Sequence, residues 1–194
     1  YTTRAFPWLK RRIIPVTSFV IATEELPAET VEAIMPGRRM VVETRSRHCY
    51  YYRLSPDGKR FILGGRAALS EVSQAAATAV LHGLMREIFP QLRNVGISHS
   101  WQGGTGFTFS FLPHLGRQDG IWHAVGYSGS GNGMAPYLGH KAALNMLGRP
   151  GGETAFKKTE LESRAWYRGW PWFLPFAHAL YRGIDIKQNL VRGR

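Results

Sequence analysis

The sequence predicts an α+β fold: a largely antiparallel sheet carrying one long helix, followed by a strand, a glycine loop and a second helix. Three observations predict it. Two runs rich in aromatic and β-branched side chains, 48–54 and 60–64, flank Ser55-Pro56-Asp57-Gly58-Lys59, and proline, aspartate and glycine in that order are turn chemistry. A run with helical periodicity follows from Ser70. Further on, glycines at 126, 129, 131 and 133 separate the apolar run Ile121 to Val125 from a helix-like segment reaching Leu147.

Taken in order, residues 13–23 read as a strand because β-branched and aromatic side chains dominate them, with Pro15 favouring an edge or the strand's start. Met40 to Thr44 makes a second strand. In the hairpin, alternation sets His48, Tyr50 and Tyr52 on one face and Cys49, Tyr51 and Arg53 on the other. Ser70 opens the long helix with Glu71 in its first turn and Pro90 beyond its end. Its expected buried face is Val72, Ala76, Ala79, Val80, Leu84 and Ile88. Ile97 to Gly116 reads as strands and turns, 121–127 as a short buried strand, and Met134 to Leu147 as a helix closed by Gly148. Pro136 is expected in that helix's first turn, where a missing N–H costs nothing. A further helix is expected over Phe156 to Tyr167, ahead of a Trp/Pro-rich segment.

The chain thus divides into a sheet region (1–116), a strand–loop–helix unit (117–148) and a helical, aromatic tail (149–194). A single strand–helix unit cannot bury both faces of its strand. That, together with a chain starting at Tyr1, leads to the expectation that these residues are part of a longer protein.

The 44% hydrophobic content suits a folded core, and the net charge of +12 is spread from Arg4 to Arg194 as solvated faces rather than one patch. One cysteine, Cys49, excludes an internal disulfide and fits a reducing, cytoplasmic setting. Histidines at metal-ligand spacing are lacking, so no metal is expected. No apolar run approaches the ~20 residues of a membrane helix.

The glycine loop carries the functional signal. Glycine leaves backbone N–H groups open to close approach, and at a helix start those groups are unpaired and face the positive end of the dipole. The loop therefore suits an electron-rich guest. It is not a dinucleotide fingerprint, because the third glycine would fall at Met134, nor a phosphate loop, because Gly133 is followed by Met134 and Ala135.

Gly126 to Pro136, with the helix to Gly148, resembles the C-terminal flavin-contacting segment of the FAD-dependent amine and D-amino-acid oxidase (DAO) family. Trp101-Gln102-Gly103 and Leu112-Pro113-His114-Leu115-Gly116 resemble two further elements of that family. Tyr51-Tyr52-Arg53 with Phe61 to Arg66, preceded by Pro15, Ala22-Thr23-Glu24 and Leu26, resembles its γ-glutamylputrescine oxidase-like subgroup. The resemblance covers about residues 1–148 and implies a Rossmann-like FAD domain most of which lies outside this chain. It implies hydride transfer from the C–H beside an amine to a non-covalently held FAD, by a portion inactive alone. It assigns cofactor contacts to Gly129, Ser130, Gly131, Asn132, Gly133, Met134, Trp101 and Gly103, with core packing the other reading of Trp101. Asn132 and Met134 stand where some relatives place a cation.

An amine or amino-acid substrate would meet Tyr51 and Arg53, since a guanidinium holds a carboxylate bidentately. No catalytic residue is assigned. The partners implied are that substrate and the missing N-terminal FAD-binding segment, not nucleic acid or a membrane. The alternative from another class is a basic nucleic-acid-binding module, in which Tyr50 to Tyr52, Trp170 and Trp172 stack on single strands. A second rival is peripheral membrane attachment through Trp166 to Tyr181 and its flanking arginines.

Overall fold

The computed structural model describes residues 5–43, 49–65, 72–177, 179–180 and 183–184. The fold is a mixture of helices and antiparallel strands and divides into two compact units, Tyr1–Val16 with Gly104–Trp172 and Thr17–Gly103 with Phe173–Arg194.

In the unit built on Thr17–Gly103, strands β1 (Ile14–Thr23), β2 (Val41–Glu43), β3 (Tyr50–Leu54), β4 (Phe61–Gly65) and β5 (Ile97–Phe107) form one sheet in the order β2-β3-β4-β1-β5. The expected hairpin is present, with Tyr51 opposite Gly64, Tyr52 opposite Leu63 and Leu54 opposite Phe61. Asp57 makes its turn, accepting from the Lys59 N–H at 3.1 Å and from the Ser55 hydroxyl. Alternation sends Leu54 and Tyr52 to the core, where Tyr52, Phe61 and Phe89 meet ring on ring at 5.0–5.6 Å. Two helices cover that face: α2 (Ala28–Ile34), which has no counterpart among the predicted elements, and α3 (Gln74–Ile88). Phe19, Ile21, Phe61 and Leu63 from the sheet meet Val31 and Ile34 from α2 and Leu81 and Met85 from α3.

A polar stitch joins three strands. The Thr23 hydroxyl, fully buried, accepts the Phe61 N–H at 3.0 Å, and the Arg60 guanidinium donates to the Thr23 carbonyl and to the Ser98 hydroxyl, both at 3.0 Å.

The long helix departs from expectation in two ways. Its cap is Ser73, whose hydroxyl accepts from the Ala76 N–H at 3.2 Å, and Ser70 and Glu71 lie outside the described residues. Its buried face is Ala77, Leu81 and Met85, while Ala76 and Ala79 are exposed and Val80 is 50% exposed. Four alanines between 75 and 79 give the helix little apolar contrast, so the bulky i, i+4 pair Leu81 and Met85 sets the phase.

In the other unit, α1 (Pro7–Lys10) leads into β1, and β6 (His114–Gln118) pairs antiparallel with β7 (Ile121–Val125). Asp119 and Gly120, both at positive φ (50° and 83°), form the two-residue loop between them. Asp-Gly is a strong hairpin signal. Contrary to expectation β7 is only half covered: Ile121 is 48% exposed, and its most enclosed side chain is His123. α4 (Gly131–Met146) begins three residues before the expected start, which places Pro136 in the second turn, and Gly148 at φ 60° ends it.

The expected helix over 156–167 does not form. Only a 3-10 turn, Ala155–Lys157, is regular there. The segment spends its polar groups on distant partners: the Thr159 hydroxyl on the Pro113 carbonyl (3.3 Å), the Leu161 carbonyl on Arg12 Nε (3.0 Å) and the Tyr167 hydroxyl on the Ile13 carbonyl (2.9 Å). Leu161 and Tyr167 are buried by that path.

The phase of α3 is directly measurable. Leu81→Ala is expected to lower unfolding free energy by about 2–5 kcal/mol, whereas Val80→Ala stays within about 0.5 kcal/mol, both read from urea denaturation.

Candidate functional site

The site is built around the turn that joins β7 to α4. Gly126 stands at φ 79° with its α-carbon against Thr108, and a Cβ there would lie 2.4 Å from Thr108 Cγ2 and 3.2 Å from the Leu112 carbonyl oxygen. Only glycine fits both the conformation and the space. Thr108 is itself held, donating its hydroxyl to the Leu112 carbonyl at 2.8 Å. The loop then binds back to the end of β5, with Ser128 N–H donating to the Gly106 carbonyl at 3.2 Å. The Tyr127 hydroxyl donates to the Ala124 carbonyl at 2.9 Å, and Ser130 N–H to the Tyr127 carbonyl at 2.8 Å. Gly129, at φ 101°, completes the reversal into α4.

The first turn of α4 opens on a cleft of about 560 Å³ within this unit. One wall is apolar, from Phe6, Leu9 and Ile13; the others are Gly104–Gly106 of β5 and the stretch from Ile121 to Gly129, with Gly131 and Asn132. Met134 N–H donates to the Ser130 carbonyl, but the N–H groups of Gly131, Asn132 and Gly133 have no acceptor among the described residues. The Ser130 side chain does not cap them. A Cβ added at Gly133 would meet nothing within 4 Å, and one at Gly131 only a Tyr127 ring carbon at 3.7 Å. Helix-interior glycine costs roughly 0.5–1 kcal/mol against alanine, and nothing in the described chain demands it at either place. Three unpaired donors at the positive end of a helix dipole favour an electron-rich acceptor.

His123 lines the same cleft and stacks on His114, rings 5.3 Å apart and 7° from parallel, with His123 Nε2 3.2 Å from His114 Nδ1. Gly116 lies beneath, where a Cβ would fall 2.7 Å from the His114 ring. Trp8 covers His123 at 5.2 Å, and the Arg12 guanidinium lies 4.1 Å from the Trp8 ring centroid. Burial, with the neighbouring His114, pushes the His123 pKa down to about 4, and burial lowers that of His114. Both rings are therefore neutral at pH 7. Among the described residues no three histidine, cysteine, aspartate or glutamate side chains gather as a metal site.

Of the residues singled out from sequence, Gly129 to Met134 come together at this turn. Trp101 (44% exposed) and Gly103 lie on β5 within the other compact unit and do not line the cleft; their successors Gly104, Thr105 and Gly106 do. Three glycines in 103–106 on a strand signal close approach. Tyr51 crosses Gly64, where a Cβ would come within 2.2 Å of its ring, and its hydroxyl lies 3.2 Å from the Ser18 hydroxyl. Arg53 is exposed two residues on, on the same sheet face, with no ionic partner among the described residues. The apolar wall from Phe6 and Leu9 has no local sequence signal.

Residues 1–144 match the family described as FAD dependent oxidoreductase (DAO). The chain belongs to that family. This member is 35% identical over 141 residues to the probable oxidoreductase OrdL of Haemophilus influenzae, a match covering 72% of the chain and 31% of that protein. It is 32% identical over 126 residues to the gamma-glutamylputrescine oxidoreductase of Escherichia coli, covering 64% and 29%. The chain spans about a third of the length of the curated relatives it matches. In fold it is similar to iminodiacetate oxidase from Chelativorans sp. BNC1, with TM-score 0.57 and 23% identity over 82% of this chain and 41% of that one. It is also similar to glycine oxidase from Bacillus cereus, with TM-score 0.59 and 15% identity over 82% and 43%.

The histidine pair makes stability pH-dependent. Because the His123 pKa falls from 6.5 to about 4 on folding, the unfolded chain binds more protons between those values. Stability is fully present above pH ~6.5 and falls by up to about 3 kcal/mol as the pH drops towards 4. Urea midpoints across that range should show the slope, and His123→Gln should flatten it.

Proposed function

We propose that this chain is the substrate-sheet and flavin-contacting portion of a FAD-dependent enzyme that oxidises the C–N bond of an amine or amino acid. The observation that carries the reading is the first turn of α4, with three unpaired backbone donors and two glycines that the described chain leaves uncrowded. These residues fit a flavin. FAD, when bound, supplies the hydride-accepting chemistry.

Ser130 to Met134 would present backbone N–H groups, backed by the helix dipole, to the electron-rich carbonyl edge of the isoalloxazine and stabilise negative charge there. Asn132 adds a neutral amide in place of a cation. The apolar wall of Phe6, Leu9 and Ile13 would exclude water, which strengthens those hydrogen bonds. Neutral His114 and His123 keep positive charge away from the base of the cleft.

On the sheet, Arg53 would hold the carboxylate of a substrate and Tyr51, braced on Ser18, would supply an aromatic wall. We assign substrate binding to the sheet region 1–116, return to the flavin domain to 117–148 and a separate role to the tail 149–194. The ADP half of FAD needs a glycine fingerprint that these residues lack, so the Rossmann-like remainder belongs to an N-terminal segment of the longer protein, and this portion by itself should not turn over.

In the full-length protein, Gly131→Ala with Gly133→Ala is expected to leave thermal stability unchanged or raised, by roughly 0.5–1 kcal/mol per site. FAD affinity, titrated by flavin fluorescence, should fall at least about tenfold, or ~1.4 kcal/mol. Unchanged affinity would remove α4 from the flavin site. Arg53→Ala is expected to raise KM for a carboxylate-bearing amine about 10–100-fold with kcat little altered, the signature of lost uniform binding.

A further inference from the structure

His123 is the one imidazole among the residues that line the cleft; Tyr127 is the other ionisable side chain there, and no carboxylate, lysine or arginine joins them. A second imidazole is built against it. Gly116 on β6 stands directly opposite His123 on β7, with His114 two residues away on the same face of the hairpin. A Cβ at 116 would fall 2.7 Å from His114 Cε1 and 2.9 Å from His123 Nε2. Glycine weakens a strand interior, and here its bare α-carbon is what lets His123 Nε2 come within 3.2 Å of His114 Nδ1.

Such a pair is suited to holding one added proton. A protonated ring donates to the bare nitrogen of its partner in a charge-assisted hydrogen bond. A second proton is opposed by repulsion between the rings, the effect by which His114 lowers the His123 pKa. The Ile121 backbone beside His123 and the Thr159 backbone beside His114 also favour the protonated rings, but burial outweighs them and keeps the pair neutral at pH 7. No neighbouring group offsets that burial. The Arg12 guanidinium, itself a cation, lies behind Trp8. Alternation sends Arg117 to the opposite face of β6. Glu160, next to Thr159, is exposed, and the Tyr127 hydroxyl donates to the Ala124 carbonyl. A negative charge inside the cleft is the remaining way to shift the balance.

The flavin reading, on which this inference rests, places such a charge there. Hydride leaves the C–H beside the amine with two electrons and one proton, the substrate becomes an iminium, and the flavin gains net negative charge unless a further proton arrives. The donors at the first turn of α4, backbone N–H groups and the Asn132 amide, are all neutral. We propose that the His123–His114 pair takes up one proton from solvent as that negative charge develops, so that the charge is balanced within this unit. The electrons stay with the flavin, and the proton is held between His123 Nε2 and His114 Nδ1.

An opposite charge at close range moves a pKa by about 1–3 units, which brings the pair from about 4 into the range of roughly 5–7. In the full-length protein, the midpoint potential of bound FAD, followed by spectroelectrochemical titration, is therefore expected to fall more steeply with rising pH than in His123→Gln between about pH 5 and 7. One extra proton per two electrons is a tenfold change in equilibrium per pH unit, or about 30 mV. The slopes should converge by about pH 8, where neither state of the wild-type pair holds the extra proton. His114→Leu, which removes the acceptor of His123, is expected to behave as His123→Gln does. Melting temperatures at about pH 8, where the wild-type rings are neutral, show that each variant is folded. Equal slopes in the wild type and both variants, with FAD bound, overturn the inference and leave the flavin reading standing. A full-length protein that binds no FAD overturns both.

Discussion

The contact between Gly126 and Thr108 is the constraint on which the candidate site depends. At 2.4 Å from a methyl carbon there is no room for any side chain at 126, so the backbone turns where Thr108 allows it. Thr108 is immobilised by its own hydrogen bond to Leu112, and Ser128 is tied to Gly106. The exit direction of β7, the start of α4 and one wall of the cleft follow from these three links. A loop fixed in this way presents its donors without reorganising when an acceptor arrives, which is the condition under which backbone dipoles are most effective.

Elements whose determinants are local were legible in the sequence. Pro56-Asp57-Gly58 specified a hairpin, and the Asp57 carboxylate performs the turn hydrogen bonding that its residue type implies. Asp119-Gly120 carries the same kind of signal, and reading it would have paired β7 with β6 directly. What could not be read depended on distant partners. The stretch 156–167 has helix-compatible residues, yet Arg12, Ile13 and Pro113 compete successfully for its polar groups. The phase of α3 was hidden because alanine fits a buried or an exposed position equally well. The glycine loop was legible as a donor array, but its apolar wall was not, because Phe6 and Leu9 come from more than a hundred residues away in the chain.

Two glycines in the first turn of a helix violate local preference without any compensating contact in the described chain. Such departures concentrate where a sequence answers to something besides its own packing. Gly64 shows the contrasting case, a glycine explained entirely from within, since the Tyr51 ring occupies the space above it. Comparing the two separates a glycine that its own packing explains from two that the described chain leaves unexplained.

Pro136 has a consequence for how the protein matures. It removes the N–H that would close on the Asn132 carbonyl, and the turn before it carries two glycines and no side-chain cap. Within α4, this end is therefore held by fewer internal hydrogen bonds than the middle of the helix. On the proposed flavin reading, a cofactor accepting from its N–H groups would add its binding free energy to the stability of the folded chain. Abundance in a cell would then report on cofactor supply before activity does.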